Sequence, residues 1–393
     1  MTIAATPRRA LEGARDEALE SPVHDERTAA ILGIALGVAF LTCFLTGLYS
    51  HVLQHPVTWF HPPTRPVWLY RVTQGLHVAT GVATIPLLLA KLWSVYPKLF
   101  RWPVVDGAAH ALERLLLVPL VCGSVFMLFT GLENVARWYP WPFFFPRGHY
   151  WVAWVTIGAL VAHLGAKLAT TRRALRRGAA SSEAHVVSGA PPGGLGRRGF
   201  LAATAGAAGF LTLTTVGQTV TPLGRFVVFA PRTPDDGSQG LPVNRAAVDA
   251  GVEAMATAAT YRLAVTGAVA RELELTAADV EAMATTEASL PIACVEGWSK
   301  SGRWRGVPVS ALLRTAGVPD DQPVDVTVVS LEADGLYRTS TLDDRQARDD
   351  STLVATHLNG QRLDLDHGYP CRLIAPNRPG VLQTKWIGAL VVR

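Results

Sequence analysis

The sequence predicts a multidomain chain: an all-α transmembrane bundle of four helices plus a fifth anchor helix, followed by a β-rich soluble domain of α+β type. Three observations carry that prediction. Hydrophobic residues make up 49% of the chain and charged residues 17%, and the mean hydropathy is positive, which is too apolar for a pair of ordinary soluble domains. Five stretches (29–49, 72–90, 115–132, 148–166 and 199–224) lack Asp, Glu, Lys and Arg, and each has the roughly 18 or more residues that a helix needs to cross the hydrocarbon. After Gly224 the pattern shifts to short alternating runs, Tyr261–Val269, Asp325–Leu331, Leu353–His357, Arg372–Ala375 and Gly388–Val392, broken by Gly, Pro and Asp turns, as strands require.

Taken in order, residues 1–28 mix acids and bases and form a cytoplasmic N-terminal segment to which no role is assigned. Residues 29–170 hold the four-helix bundle. The linker 171–196 and its flanks carry Lys167, Arg172, Arg173, Arg176, Arg177, Arg197 and Arg198 against one acid, Glu183, and an excess of basic residues marks a cytoplasmic loop. Counting outward, the N-terminus is inside, loops 50–71 and 132–149 are outside, and the fifth span (197–224) carries the domain 231–393 to the outer side. Arg197-Arg198-Gly199-Phe200-Leu201 reads either as an ordinary basic flank or as an internal twin-arginine export signal. The formal charge of +5 owes much to this linker. The soluble part shows no basic stripe with interleaved aromatics, so no nucleic acid is expected as partner.

Cys294 is the residue that needs explaining. It stands in "SLPIACVEGWSKSGRWRGVPVSALLRTAGV", followed by a Trp-, Ser- and Gly-dense loop and then an apolar helical stretch. A disulfide with Cys371, the domain's other cysteine, and a buried inert thiol are both open. Zinc is disfavoured for want of CxxC or HxxxH spacing. A nucleophilic thiolate would draw on His357 or His367, and spacing selects neither.

Resemblance narrows the choice. "CVEGWSKSGRWRGVPVSALL" and "LVATHLNGQRLDLDHGYPCRLIAPNRPGVLQTKWIGALVV" together resemble the molybdopterin domain of the sulfite oxidase family, most closely its bacterial branch of exported reductases of S-oxides such as methionine sulfoxide. Weaker similarity in "YRLAVTGAVARELELTAADVEAM" extends this over most of 240–393. The resemblance implies that Cys294 is the thiolate ligand of molybdenum, a role that suits a soft sulfur donor. It implies that Lys385 and Trp386 of "TKW" hold the pterin phosphate and that Arg372 is the arginine of the family's "PLRL" block. It places His367 and Asn244 in the same pocket, and Glu296 and Ser299 as catalytic residues where substrate approaches. Arg372 as a strand-end charge and His367 as a turn residue remain the plainer readings. Cys371 stands where the family has Leu and is read as packing. Dimerisation through the immunoglobulin-like domain of longer sulfite oxidases is not expected.

Molybdenum exchanges two electrons per oxygen-atom transfer while membrane carriers pass them singly, so a haem is the natural companion. His77 in the second span and His163 in the fourth are ionisable residues at membrane depth. With span ends at Val67 and Trp151 they differ in depth by roughly 3 Å, a geometry for clamping one haem b iron, with Gly81 and Gly165 leaving room for the macrocycle. This arrangement resembles four-helix membrane cytochromes b. The alternative is interhelical hydrogen bonding. His51 is the reserve ligand, and His55, His61 and His149 fall in outer loops. The expectation is therefore an integral plasma-membrane enzyme of a bacterium, N-terminus inside, that transfers an oxygen atom to or from an S-oxide or oxyanion and exchanges electrons with quinone. A sulfite-type dehydrogenase running electrons inward, and a scaffold that has lost its metal, are the competing readings.

Overall fold

The computed structural model describes residues 23–99, 105, 107–180, 196–217, 219, 221–230 and 237–393. Most of the N-terminal segment and linker residues 181–195, including Glu183, lie outside the described residues. Five helices are long and apolar enough to cross a membrane: α1 Glu26–Gln54, α2 Leu69–Leu99, α3 Ala108–Ala136, α4 Phe145–Ala180 and α5 Arg197–Val216. Each contains one of the expected spans or most of it. The apolar stretches extend because a helix leaving hydrocarbon continues as long as its backbone groups find partners only within the helix.

Two boundaries differ from expectation with consequences. The fourth helix begins at Phe145, six residues ahead of the Trp151 end assumed above, with Pro146 in the first turn, where its missing N–H costs no hydrogen bond. His149 is therefore a helical residue and not part of a loop. The fifth helix stops at Val216, and the chain turns into a 3₁₀ segment, Thr221–Phe226, around Pro222, which cannot extend an α-helix. The described residues divide into two compact units, one of 23–47 with 76–215 and one of 48–75 with 216–393. The last turns of α1 and the first turns of α2 thus group with the C-terminal domain.

That domain contains two five-stranded sheets. One runs in the order β2 (Leu273–Leu275), β1 (Leu263–Gly267), β10 (Ile387–Val392), β5 (Val326–Ser330) and β6 (Thr339–Leu342), with β1 and β10 parallel. The other runs β3 (Thr286–Ala293), β4 (Ser299–Pro308), β7 (Leu353–Leu358) and β8 (Gln361–Arg362), with β9 (Arg372–Ile374) also paired to β7. All five expected strands are present. The Trp- and Gly-dense segment after Cys294 is the correction: only 295–298 is a turn, and Ser299–Pro308 is a ten-residue strand paired on both sides. Local composition disfavours a strand there, but Gly306 lets the backbone of β7 approach so closely that a Cβ would sit 2.3 Å from the Val354 carbonyl oxygen. Tertiary pairing overrides propensity.

A core of Val265, Val307, Leu312, Leu313, Val328, Leu373 and Leu390 joins the sheets to helix α9 (Val309–Thr315, after α6 Ala247–Ala250, α7 Glu253–Thr257 and α8 Ala277–Met283). A second cluster, with Leu290, Ile292, Trp298 and the fully buried Trp304, includes Cys294 itself. The ligand candidate thus ends a strand whose inward residues are locked in a core, which holds the sulfur still.

Candidate functional site

Cys294 follows the last residue of β3 and is buried. A tight turn closes behind it: Gly297 N donates to the Cys294 carbonyl oxygen at 3.1 Å, and Cys294 N donates to the Trp298 carbonyl oxygen at 2.9 Å. Two N–H groups address the sulfur, Asn244 Nδ2 at 2.9 Å and Glu296 N at 3.5 Å, donors that a thiolate could accept even though the residue packs in an apolar cluster. None of the four cysteines is bridged. Cys371 lies in the core against the Tyr261 hydroxyl at 3.2 Å, and burial pushes its thiol up to about 12. His357 joins Glu281 and Arg305 in an ion cluster away from Cys294, so the nucleophile reading loses one of its partners.

Cys294 opens on a cavity of about 190 Å³ whose lining includes Asn244, Arg245, His367, Arg372, Lys385 and Tyr337. The cations are held by carbonyls. Arg372 is buried, donating from Nη1 to His367 O and from Nη2 to Gln383 O, both at 3.1 Å, with its guanidinium 5.2 Å from the Trp304 ring centroid. Its Nε has no hydrogen-bond partner. Burial lowers the guanidinium to about 9. Lys385 Nζ donates to Asp366 O at 2.9 Å and to Arg245 O, and burial, then the charge of Arg372, lowers it to about 7. Burial, reinforced by Arg372, also holds the His367 imidazole down at about 4, and its Nε2 contacts Ser238 O at 2.6 Å.

Gly368 permits this convergence. It has φ of +104°, and a Cβ there would lie 3.0 Å from Arg372 Cβ and 3.1 Å from Lys385 Cβ, so only glycine turns the chain here without pushing the cations apart. Trp386, fully buried at φ 51°, donates Nε1 to Leu365 O at 2.7 Å and lies under the Lys385 ammonium at 4.4 Å. Its left-handed backbone is uncommon for a bulky residue. It supports Lys385 from the core and does not itself line the cavity.

A buried arginine with an orphan Nε, a lysine lowered by burial and positive neighbours, and a sulfur that receives N–H donors fit an anionic, phosphate-bearing metal cofactor. Glu296 and Ser299 do not face it. The turn after Cys294 sends the Glu296 carboxylate to Trp298 Nε1 at 3.3 Å, and Ser299 is buried at the start of β4. Tyr337 lines the cavity together with Cys294. Burial, then the neighbouring Cys294, raises its phenol above the usual range. Arg245, ion-paired with Glu332 at 3.0 Å, is the other lining residue missed. Both sit in loops with no motif spacing; a lone Tyr between two strands was the only signal.

The helical unit holds a second candidate site. His77 on α2 faces His149 on α4, with ring centroids 6.3 Å apart and planes at 66°. His77 Nδ1 is 2.9 Å from Cys43 O and 3.1 Å from Thr46 Oγ1, and His149 Nδ1 is 3.0 Å from Thr130 Oγ1. The Nδ1 atoms are engaged, which leaves each Nε2 as the ring nitrogen that a metal would take, and a centroid separation of 6.3 Å is compatible with one metal atom at bonds of about 2 Å. A Cβ on Gly47 would lie 3.0 Å from His77 Cε1, so a larger side chain there would displace the ring. His163 is not the partner of His77. Fourteen residues beyond His149 on the same helix, it lies about 21 Å further along, with Lys91, Lys167 and Glu113 as its charged neighbours. The early start of α4 is the cause. Gly81 and Gly165 face open space.

Comparison with known proteins bears on the C-terminal part. Residues 250–393 match the family model described as the oxidoreductase molybdopterin binding domain. The chain is similar to the provisionally named protein-methionine-sulfoxide reductase subunit YedZ1 of Azospira oryzae, 33% identical over 135 residues, 34% of this chain and 50% of that protein. It is 32% identical over 129 residues to the oxidoreductase YuiH of Bacillus subtilis, 32% of this chain and 62% of that one. It is 37% identical over 99 residues to nitrate reductase [NADH] 2 of Nicotiana tabacum, 23% of this chain and 11% of that one. Among solved structures, the sulfane dehydrogenase SoxCD of Paracoccus pantotrophus aligns at 25% identity with a TM-score of 0.31, over 34% of this chain and 38% of that chain. The chain spans only part of the length of each curated relative.

Proposed function

Residues 250–393 being a molybdopterin-binding oxidoreductase domain, joined in one chain to five helices fit to cross a membrane, we propose that the protein is a membrane-bound molybdenum enzyme that reduces an S-oxide-type substrate with electrons drawn from quinol through one haem b. The observation that carries the reading is Cys294, at the floor of a cationic cavity with two N–H donors on its sulfur. Bound there, the molybdenum cofactor supplies two-electron oxygen-atom exchange. The chain does the rest. Cys294 ligates the metal, and Asn244 orients the sulfur. Arg372 and Lys385 grip the cofactor phosphate, whose charge restores the full protonation that burial denies the lysine. Tyr337 keeps its proton because burial and the sulfur's charge disfavour the phenolate, so it can donate a hydrogen bond to the substrate oxygen. His367, neutral at ordinary pH, accommodates the cofactor without adding charge.

In the helical unit His77 and His149 are the haem ligands. The relative from Azospira oryzae, by its name a methionine-sulfoxide reductase subunit, supports a sulfoxide as substrate. The excess of basic residues at 167–177 and at Arg197–Arg198, which open α5, supports reading those flanks as cytoplasmic and the C-terminal domain as lying on the other side. The test is elemental analysis and optical spectroscopy of the purified chain with assay of methionine sulfoxide reduction, in sealed right-side-out vesicles where added protease should clip the C-terminal domain. About one molybdenum per chain is expected, and Cys294→Ser should drop turnover to background while the haem spectrum stays. Wild-type activity in Cys294→Ser, or protein without molybdenum, sinks the proposal.

A further inference from the structure

In the function proposed above, electrons on a haem held by His77 would have to reach a metal held by Cys294, and the first two turns of α2 touch the peptide that carries that cysteine. Tyr70, fully buried, packs against Ala293 and Leu53. Its backbone N donates to Asn377 Oδ1 at 2.7 Å, and its hydroxyl contacts Ser50 Oγ at 3.1 Å. One turn on, Gln74 Nε2 donates to Val295 O at 3.3 Å. Ala293 and Val295 flank Cys294 on either side. Arg71, between them on the helix, reaches Ser301 Oγ at 3.3 Å and Thr219 O at 3.0 Å. These contacts lie wholly within the unit of 48–75 and 216–393. His77 follows Gln74 by three residues on the same continuous helix, one helical turn.

A buried glutamine at the apolar start of a membrane helix is costly unless its amide is used. Gln74 spends its donor on a single carbonyl, that of the residue bonded to the metal ligand. Docking alone is already served by Arg65, ion-paired with Asp349 at 3.0 Å, and by Arg71 and Asn377. We propose that the Tyr70–Gln74 turn of α2 is the electron connection between the haem ligand His77 and the molybdenum ligand Cys294, crossing at the Gln74 Nε2–Val295 O hydrogen bond. This rests on the function proposed above. Quinol gives up two electrons and two protons in becoming quinone. The electrons cross one at a time, and the S-oxide takes both with two protons to leave a sulfide and water. Gln74 is neither oxidised nor reduced. It supplies a bonded path where a gap would otherwise be.

The experiment uses the full chain with its cofactors, reduced anaerobically, freed of excess reductant and mixed with methionine sulfoxide while reoxidation of the haem band is followed. Gln74→Met, of similar length but without the amide, should slow reoxidation of the haem band relative to wild type, with molybdenum content, haem content and turnover from a soluble reduced dye unchanged. Ser301→Ala, which removes an Arg71 docking contact without touching the path, should reoxidise like wild type. Wild-type reoxidation rates in Gln74→Met overturn the connection and leave the proposed function standing. So does equal slowing in Ser301→Ala, since that assigns the effect to docking. A wild-type haem that methionine sulfoxide does not reoxidise overturns the proposed function and the connection with it.

Discussion

The two candidate sites are held by opposite means. In the helical unit His77 and His149 stand on long helices, each ring oriented by Nδ1 contacts to one neighbouring helix, Cys43 O and Thr46 Oγ1 for His77 and Thr130 Oγ1 for His149. In the C-terminal unit Cys294, Tyr337, His367, Arg372 and Lys385 come from turns and strand ends far apart in the chain, and carbonyl groups hold the cations in place. The difference teaches where each site can fail. A helix pair is set by one parameter, the residue at which each helix starts, and an error of six residues exchanges His149 for His163. The cavity has no such parameter, and its charge balance is decided by burial.

The sharpest way to break the comparison is to remove the helical pair. His77→Ala or His149→Ala should abolish the reduced haem spectrum and quinol-driven turnover while dye-driven turnover at the Cys294 cavity continues; His163→Ala should keep the haem. Loss of haem only in the His163 variant would transfer the ligand role back along α4. A smaller effect is expected in the cavity, where several groups share the load. Arg372→Met or Lys385→Met should weaken cofactor retention about 10- to 100-fold, read as molybdenum content after dialysis. Arg372→Lys should fail to rescue, because a point charge cannot reproduce a planar fork of donors. Full retention in Arg372→Met would return that residue to the role of a strand-end charge.

A separate effect, on stability against acid, appears only below the ordinary pKa of histidine. His367 is held at about 4 by burial, below its ordinary 6.5, so the unfolded chain binds the extra proton first. The fold keeps its full stability above 6.5 and loses it as the pH falls toward 4, by about 3 kcal/mol. His367→Gln should flatten that slope, measured by urea unfolding of the full chain followed through the C-terminal tryptophans. An unchanged slope would mean that His367 is not buried neutral.

Much of the architecture was legible because the signals were local. Uncharged runs mark the five helices, since a charge inside hydrocarbon is costly. Alternation marks β1 and β5, since one face of each is buried, whereas β7 and β9 are short runs buried on both faces between turns. Cys294, Asn244, His367, Arg372 and Lys385 were each named by resemblance before the fold was known, and all five line one cavity. What failed was non-local. β4 forms in a Gly- and Trp-dense segment because β3 and β7 pair with it on either side. Glu296 turns away because the turn behind Cys294 hands its carboxylate to Trp298. Tyr337 lines the cavity from a loop that no spacing singles out.

By itself, then, the sequence determined the order of elements and the apolar helices and offered Cys294 as a candidate soft ligand, because hydrophobic burial and ligand softness are properties of residue types. The tertiary structure alone decided which histidine faces His77, which residues surround Cys294 and which cations go without a carboxylate. Those depend on the positions of helix starts, strand pairing and desolvation, and each of these is set by contacts between residues that are distant in the chain.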